Sequence, residues 1–372
     1  MKKLFRFISI ITCLSFLLCA CTNGQSGSNG DSDGSTNTNE ILETSEQSKL
    51  NVINPTAYSH VNNITLEPGS SISIIGRYSD DSFWSQVEAG ANYAIEQINA
   101  ALGYTGSDKI KLAYSAPEVR DDVNEQINIL DEELSRYPVA IGIAAIDTSA
   151  CSLQFDLATE NNIPIITVDS GSDYQHVATH IATNNIEAAS TAASKLAYAI
   201  EEEGEIAIIV QDSTSMTALD RLQGFTDTIA TDFPGISVVH TYHLDTVHTT
   251  AENLSLSPED TVKMILENNP NLKGIYATNL DTTQLVAKIL VDLERTDLKL
   301  IGFDGGSEQL ELLETGVVDG LILQNPFGMG YATVIAAARV NGELGNESFI
   351  DTGYVWVTKD NMTDTTIANM LY

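Results

Sequence analysis

From Ser71 onward, short apolar runs alternate with amphipathic stretches. The runs Ile72–Ile75, Ile110–Tyr114, Val139–Ile143 and Ile163–Val168 are short and rich in β-branched residues, which predicts strands. Six more follow at Ile206–Val210, Ile236–Tyr242, Gly274–Ala277, Leu298–Phe303, Leu321–Gln324 and Tyr354–Val357. Between the runs the spacing turns helical. Over Phe83–Ala101, residues Phe83, Val87, Ala91 and Ile95 fall on one helix face. Further helices are predicted over Val123–Glu133, Ser152–Glu160, Ile186–Glu203, Leu219–Asp232, Pro258–Asn268, Thr282–Leu293, Glu308–Glu314 and Gly330–Val340. Strand–helix alternation with continuous apolar strands is the pattern of an α/β protein whose parallel sheets are covered on both faces. The strands are too many for one comfortable sheet, so two similar halves are expected. No short-period repeat is visible.

Upstream the pattern changes. Residues 22–48 are rich in Ser, Asn, Gly, Thr and Gln and hold hardly an apolar side chain. Such a stretch cannot bury enough surface to fold. Residues 21–65 are therefore expected to form a flexible tether, with 49–68 transitional. Asp31-Ser32-Asp33-Gly34 hints at a calcium loop but lacks the remaining ligand positions. Before the tether, Lys2, Lys3 and Arg6 precede an apolar run from Leu4 to Leu18, which ends Leu18-Cys19-Ala20-Cys21. This is how an export signal is built, and the run is short for a bilayer span. The ending resembles a bacterial lipobox, which implies removal of residues 1–20 and lipidation of Cys21. The alternatives are an ordinary secretory signal or an uncut anchor. The expected location is the bacterial cell envelope, lipid-anchored on the outer face of the cytoplasmic membrane or periplasmic. Cytosolic enzymes and transcription factors are excluded.

Charge sharpens this picture. Acidic residues number 51 against 18 basic ones, a net charge of -33. Such a chain repels nucleic acid and anionic headgroups, so lipid rather than the protein surface would hold it to a membrane. Among the cysteines, Cys13 and Cys19 leave with the signal and Cys21 is the lipid site, which leaves Cys151 alone. No intramolecular disulfide is expected, and Cys151 reads as a buried structural thiol.

The order of polar motifs resembles a type I periplasmic-type sugar-binding protein, the receptor subunit of an ABC importer of the ribose/galactose kind. The resemblance runs from about Ile72 to Met362. It rests on Asp80-Asp81-Ser82-Phe83-Trp84, Ile163-Pro164-Ile165 through Asp169-Ser170, Ile181-Ala182-Thr183-Asn184-Asn185 and Asp220-Arg221-Leu222-Gln223-Gly224-Phe225. It continues through Tyr276-Ala277-Thr278-Asn279, Ile301-Gly302-Phe303-Asp304-Gly305 and Gln324-Asn325-Pro326-Phe327. The resemblance implies two doubly wound parallel-sheet lobes joined by three hinge crossovers, near Asn184, Gln324 and Thr352. The N-terminal lobe would take 66–183 plus 325–351, and the C-terminal lobe 184–324 plus 352–372. It further implies a ligand in the interlobe cleft, closure on it, and delivery to an ABC permease by a monomeric receptor.

The candidate ligand-binding residues are Asp81, Phe83, Trp84, Asp169, Arg221, Asn279, Asp304 and Gln324. Each sits at the carboxyl end of a predicted strand or opens the next helix, the edge where open parallel sheets bind ligands. A sugar's C–H face packs on an aromatic ring, so Phe83 or Trp84 suits it, although both rings also fit the core. Asp80 reads as a helix cap and Asp81 as the better contact. A carboxylate at Asp169 ends a buried run and needs partners, which sugar hydroxyls or an ion pair would supply. The Arg221 fork can donate to two hydroxyls, or lie on the surface. Asp304 contacts ligand or only fixes its turn. Ser170 stands where ribose-binding relatives carry arginine, and no aromatic near Tyr242–His248 sandwiches a ring unless His248 serves. The ligand is then another pentose or hexose, a polyol, or a non-sugar such as a nucleoside or autoinducer read by a sensor subunit instead of an importer.

An enzyme is the rival class. Gly-x-Ser-x-Gly, P-loop and dinucleotide fingerprints are missing from the folded region. His240-x-x-His243 straddles a strand end, where residues three apart face opposite sides. No metal, cofactor or catalytic residue is expected.

Overall fold

The computed structural model describes residues 44–249 and 254–372. The signal, Cys21 and the Asp31–Gly34 stretch lie outside the described residues. Twelve strands follow in chain order: β1 (Ser71–Ile75), β2 (Lys111–Ser115), β3 (Ile141–Ile143), β4 (Ile165–Val168), β5 (Thr179–Ala182) and β6 (Gly204–Val210) come first. Then come β7 (Ile236–His243), β8 (Leu272–Ala277), β9 (Lys299–Phe303), β10 (Gly320–Gln324), β11 (Phe349–Asp351) and β12 (Tyr354–Val357). They form two six-stranded sheets, β11-β5-β4-β3-β1-β2 and β12-β10-β9-β8-β6-β7. All pairings are parallel except β10 with β12. Helices cover both faces, and central strands such as β4 and β10 are buried at every residue. This is why their sequences read as unbroken apolar runs instead of alternating.

The two lobes repeat one packing device. In the first, helix Ser82–Leu102 crosses helix Pro326–Asn341 with glycines at the contact. A Cβ on Gly330 would lie 1.8 Å from the Val87 carbonyl oxygen, and one on Gly90 would lie 1.9 Å from that of Phe327. In the second, helix Asn185–Ala199 crosses helix Met216–Asp232, and a Cβ on Gly224 would stand 2.3 Å from the Ile186 carbonyl oxygen. Only glycine permits helix backbones to approach so closely.

The chain passes between lobes three times: after β5, after β10 and between β11 and β12. The passes are stitched side by side. Asn184 N–H donates to Asp351 Oδ1 at 3.2 Å, Thr352 N–H to the Ala182 carbonyl at 3.0 Å, and Asn325 Nδ2 to the Thr352 carbonyl at 2.9 Å.

One sequence expectation needs correction. Residues 44–65 do not continue a tether. Ser45–Asn51 is a helix capped by the Thr44 hydroxyl, and Leu50, Ile53, Tyr58 and Ile64 are buried in the N-terminal lobe's core. The segment also joins the crossovers. The Lys49 carbonyl accepts from Asn325 Nδ2 at 2.7 Å, and Asn54 and Asp351 exchange two backbone hydrogen bonds. These few apolar residues escaped notice because they lie scattered in a polar stretch and bury themselves on an existing surface. Among the described residues no helix is long and apolar enough to cross a membrane.

Candidate functional site

Strand carboxyl ends from both lobes meet at one cleft. Arg77 follows β1, Asp169 follows β4, Gln211 follows β6, Asn279 lies just past β8, Asp304 follows β9 and Gln324 ends β10. Asp81, Phe83, Trp84, Arg120, Asp121, Thr217, Arg221, Leu280 and Asp281 complete the lining. The eight residues proposed from sequence therefore converge, two strands of the first lobe (β1, β4) and four of the second (β6, β8, β9, β10) bringing them to a common edge.

The side chains divide into those already committed and those left over. Asp81 caps helix Ser82–Leu102, accepting from Phe83 N–H at 2.7 Å, and it also pairs with Arg120 at 2.8 Å. The capping role assigned to Asp80 thus belongs to Asp81, because Asp81 immediately precedes the first helical residue; Asp80 is exposed. Asn279 caps helix Leu280–Asp292 in a reciprocal box with Thr282. Its carboxamide oxygen is engaged at 2.9 Å by the Thr282 N–H. Arg221 is 3% exposed, which excludes the surface reading. Its Nε donates to Asn185 Oδ1 at 2.8 Å, its Nη1 to the Thr278 carbonyl at 2.8 Å, and its plane lies 4.0 Å from the centre of the Phe303 ring. Asp304 accepts from Gln324 Nε2 at 2.7 Å and from Leu280 N–H at 3.0 Å.

Two acceptors remain. The Asp169 carboxylate is 8% exposed and among the described residues receives no hydrogen bond. Burial pushes its pKa up to about 6, against the pull of Arg221 and Arg77. Gln324 Oε1 is buried with no partner among the described residues. A buried polar atom without a partner is costly, and the Asp169 carboxylate faces the same cleft with its lone pairs free, so both are places where a hydroxyl-bearing ligand would be welcome. Phe83 and Trp84 serve core and cleft together. Both rings are nearly buried, stand edge to face at 5.1 Å and also line the cleft.

The sequence reading missed the cleft's cations other than Arg221. Arg77 donates to Asp121 from Nε at 2.9 Å and from Nη2 at 2.7 Å. Arg120 reaches across the lobes: its Nη2 bonds Asp81, its Nη1 lies 3.8 Å from Asp281, and its guanidinium covers the Tyr78 ring at 4.6 Å. Both follow predicted strands, so the strand-end rule that found the other residues applied to them as well. His248 does not line the cleft; its ring stands against Tyr242 at 5.0 Å. Cys151 is buried and free, with burial pushing its thiol up to about 11. Among the described residues no group of three or more His, Cys, Asp or Glu is placed to hold a metal ion.

Comparison with known proteins gives a consistent result. The periplasmic binding protein domain matches residues 72–344. The chain is 26% identical over 281 residues to a D-apiose import binding protein of Actinobacillus succinogenes, covering 74% of this chain and 84% of that one. A D-apiose import binding protein of Paraburkholderia graminis is 24% identical over 261 residues, covering 70% and 77%. Among solved structures, a carbohydrate transporter solute binding protein from Agrobacterium radiobacter in complex with D-arabinose superposes with a TM-score of 0.70 at 30% identity, covering 82% of this chain and 99% of that one. An ABC transporter solute binding protein from Agrobacterium vitis bound with alpha-D-tagatopyranose gives 0.71 at 27% identity, with the same coverage.

Proposed function

The chain belongs to the periplasmic binding protein family, and on that premise we propose that it is an extracytoplasmic receptor for a monosaccharide that it delivers to an ABC importer. The ligand is taken into the cleft between the lobes. The observation that carries this reading is the unsatisfied Gln324 Oε1 and the cleft-facing Asp169 carboxylate beside the Phe83–Trp84 aromatic pair. A sugar ring presents hydroxyls to the two acceptors and a C–H face to the aromatic pair. Hydrogen bonds to a charged group are worth about 1.5–3 kcal/mol each, so a few of them with one packed ring reach micromolar affinity.

The space left in the half-open cleft is about 90 Å³, less than the roughly 150 Å³ cavity that accepts benzene. A sugar therefore enters when the lobes swing apart, and it favours closure because both lobes hold it. The site residues are Asp81, Phe83, Trp84, Asp169, Arg221, Asn279, Asp304 and Gln324, with Arg77 and Arg120 added from the cleft lining. The protein acts by binding and not by catalysis. It is a monomer held by lipid on Cys21 at the outer face of the cytoplasmic membrane, near its permease.

Isothermal titration with D-arabinose, D-apiose, D-tagatose, D-fucose and xylitol tests the reading. At a hundred times its dissociation constant, the true ligand adds about 2.7 kcal/mol of stability. Heat and stabilisation from one sugar are expected. Binding of nucleosides or amino acids alone would keep the fold and sink the sugar assignment.

A further inference from the structure

Tyr372 stands in contact with both lobes. The segment leading to it begins on the C-terminal lobe, where Ile367 and Leu371 pack on that lobe's core. Tyr372 itself packs on the N-terminal lobe's core, its ring edge-on to Phe83 at 5.9 Å. Its hydroxyl then turns back to the C-terminal lobe. It donates to Asp304 Oδ1 at 3.4 Å. One residue thus touches an aromatic of one lobe's ligand wall and the carboxylate of the other's. Tyr372 is half-buried, and burial of its hydroxyl raises its pKa well above the ordinary phenol value. A second tie holds the segment in place: Asn369 Nδ2 donates to Ser48 Oγ at 3.2 Å, joining it to the helix Ser45–Asn51. Both partners lie outside residues 72–344, the span shared with the family.

We propose that Tyr372 is a positioning residue that clasps the lobes together behind the ligand, holding Phe83 and Asp304 in register and favouring the closed cleft before sugar arrives. The proposal rests on the reading of the cleft as a sugar site. Its physical basis is simple. Opening the cleft must separate the Tyr372 ring from Phe83 or its hydroxyl from Asp304, and either loss opposes opening. A receptor whose binding-competent form is more populated binds with correspondingly higher apparent affinity.

Small-angle scattering of the ligand-free chain, compared with Tyr372→Ala and Tyr372→Phe, tests the clasp without any sugar. Tyr372→Ala is expected to enlarge the radius of gyration with its melting cooperativity retained. Tyr372→Phe keeps the ring on Phe83, loses the hydroxyl tie and falls between. Titration with D-arabinose should show affinity weakened about three- to tenfold in Tyr372→Ala, and less in Tyr372→Phe. Unchanged ligand-free dimensions in Tyr372→Ala would overturn the proposal. So would tighter sugar binding, which would mean that the ring stands in the ligand's own place. If D-arabinose binds neither form, scattering alone decides the clasp, and the failure belongs to the choice of sugar.

Discussion

Asp169 and Asp304 are the same position in two lobes, facing one cleft. Asp169 follows β4 and Asp304 follows β9, strands that hold the same place in the two sheet orders. Both adopt left-handed backbone, with φ of 58° and 69°. Each donates its N–H to the next strand at 2.8 Å, Asp169 to the Ile181 carbonyl and Asp304 to that of Ile322. Aspartate tolerates this region better than most residues, and left-handed non-glycine residues gather at functional sites. The pair differs in what it holds. Asp304 is fixed by Gln324 and Leu280, whereas Asp169 stands in the fields of Arg221 and Arg77, opposed by those of Asp304 and Asp81.

Asp169 should make binding depend on pH. Its carboxylate, raised from 3.8 to about 6, accepts hydroxyls most strongly when ionised. Sugar affinity is expected to fall as pH drops through about 6 and to level off above 7, a profile that titration calorimetry from pH 5 to 8 would reveal. The sign for stability is opposite. The folded state binds more protons than the unfolded one between 3.8 and about 6, so this group's contribution declines as pH rises through that window. Asp169→Asn should therefore gain on the order of 2 kcal/mol over the parent at pH 7.5 and little at pH 4, while losing more than tenfold in affinity. Equal melting temperatures at pH 7.5 would contradict the assignment.

Arg221 is expected to matter to the fold as much as to the ligand. Its bonds to Asn185 and Thr278 and its position over Phe303 tie two helix starts to β9. Lysine keeps the charge but loses the planar fork. Arg221→Lys should cost about 1–3 kcal/mol in denaturant unfolding, together with a tenfold loss of binding. A loss of binding at full stability would mean that the guanidinium serves only the ligand.

At the mouth, Arg120 and Asp281 attract each other across the lobes. The pair is partly solvated, so its worth is small, about 0.2–1 kcal/mol. Arg120→Gln should weaken sugar binding about two- to fivefold at low salt, with the difference shrinking in 0.5 M sodium chloride as screening removes it. A salt-independent deficit would point instead to lost packing on Tyr78.

Gly330→Ala places a methyl where the Val87 carbonyl already stands. The backbone cannot yield as a side chain would, so destabilisation of about 3 kcal/mol or more is expected by thermal unfolding. Gly316→Ala offers the contrast. There a Cβ meets nothing, and the cost is the left-handed backbone alone, at φ +81°.

Much of the architecture was legible because burial on both faces leaves continuous apolar runs. Helix Ser152–Glu160 matches its sequence bounds. The strands that escaped were β5 and β11, four and three residues long with polar members at Thr179, His180 and Asp351. Their pairing comes from neighbours far along the chain, which no local period records. The site was legible wherever a polar residue closed an apolar run, as at Asp169, Asp304 and Gln324. It was illegible where the decisive fact was a partner's position. Asp81 and Asn279 look free in sequence but are engaged as caps, and Arg120 draws its role from Asp281, a residue of the other lobe.

Three covalent passes stitched into one ribbon also limit how the halves can travel. A single linker leaves a joined body free to bend, twist and slide. Parallel passes tied by Asn184–Asp351, Ala182–Thr352 and Asn325–Thr352 resist twist and slide, since either would stretch one pass against another. What remains is a single soft rotation, like a door on several pins. Every closing stroke then follows the same arc, and Asp169 returns to face Asp304 without a search through other alignments.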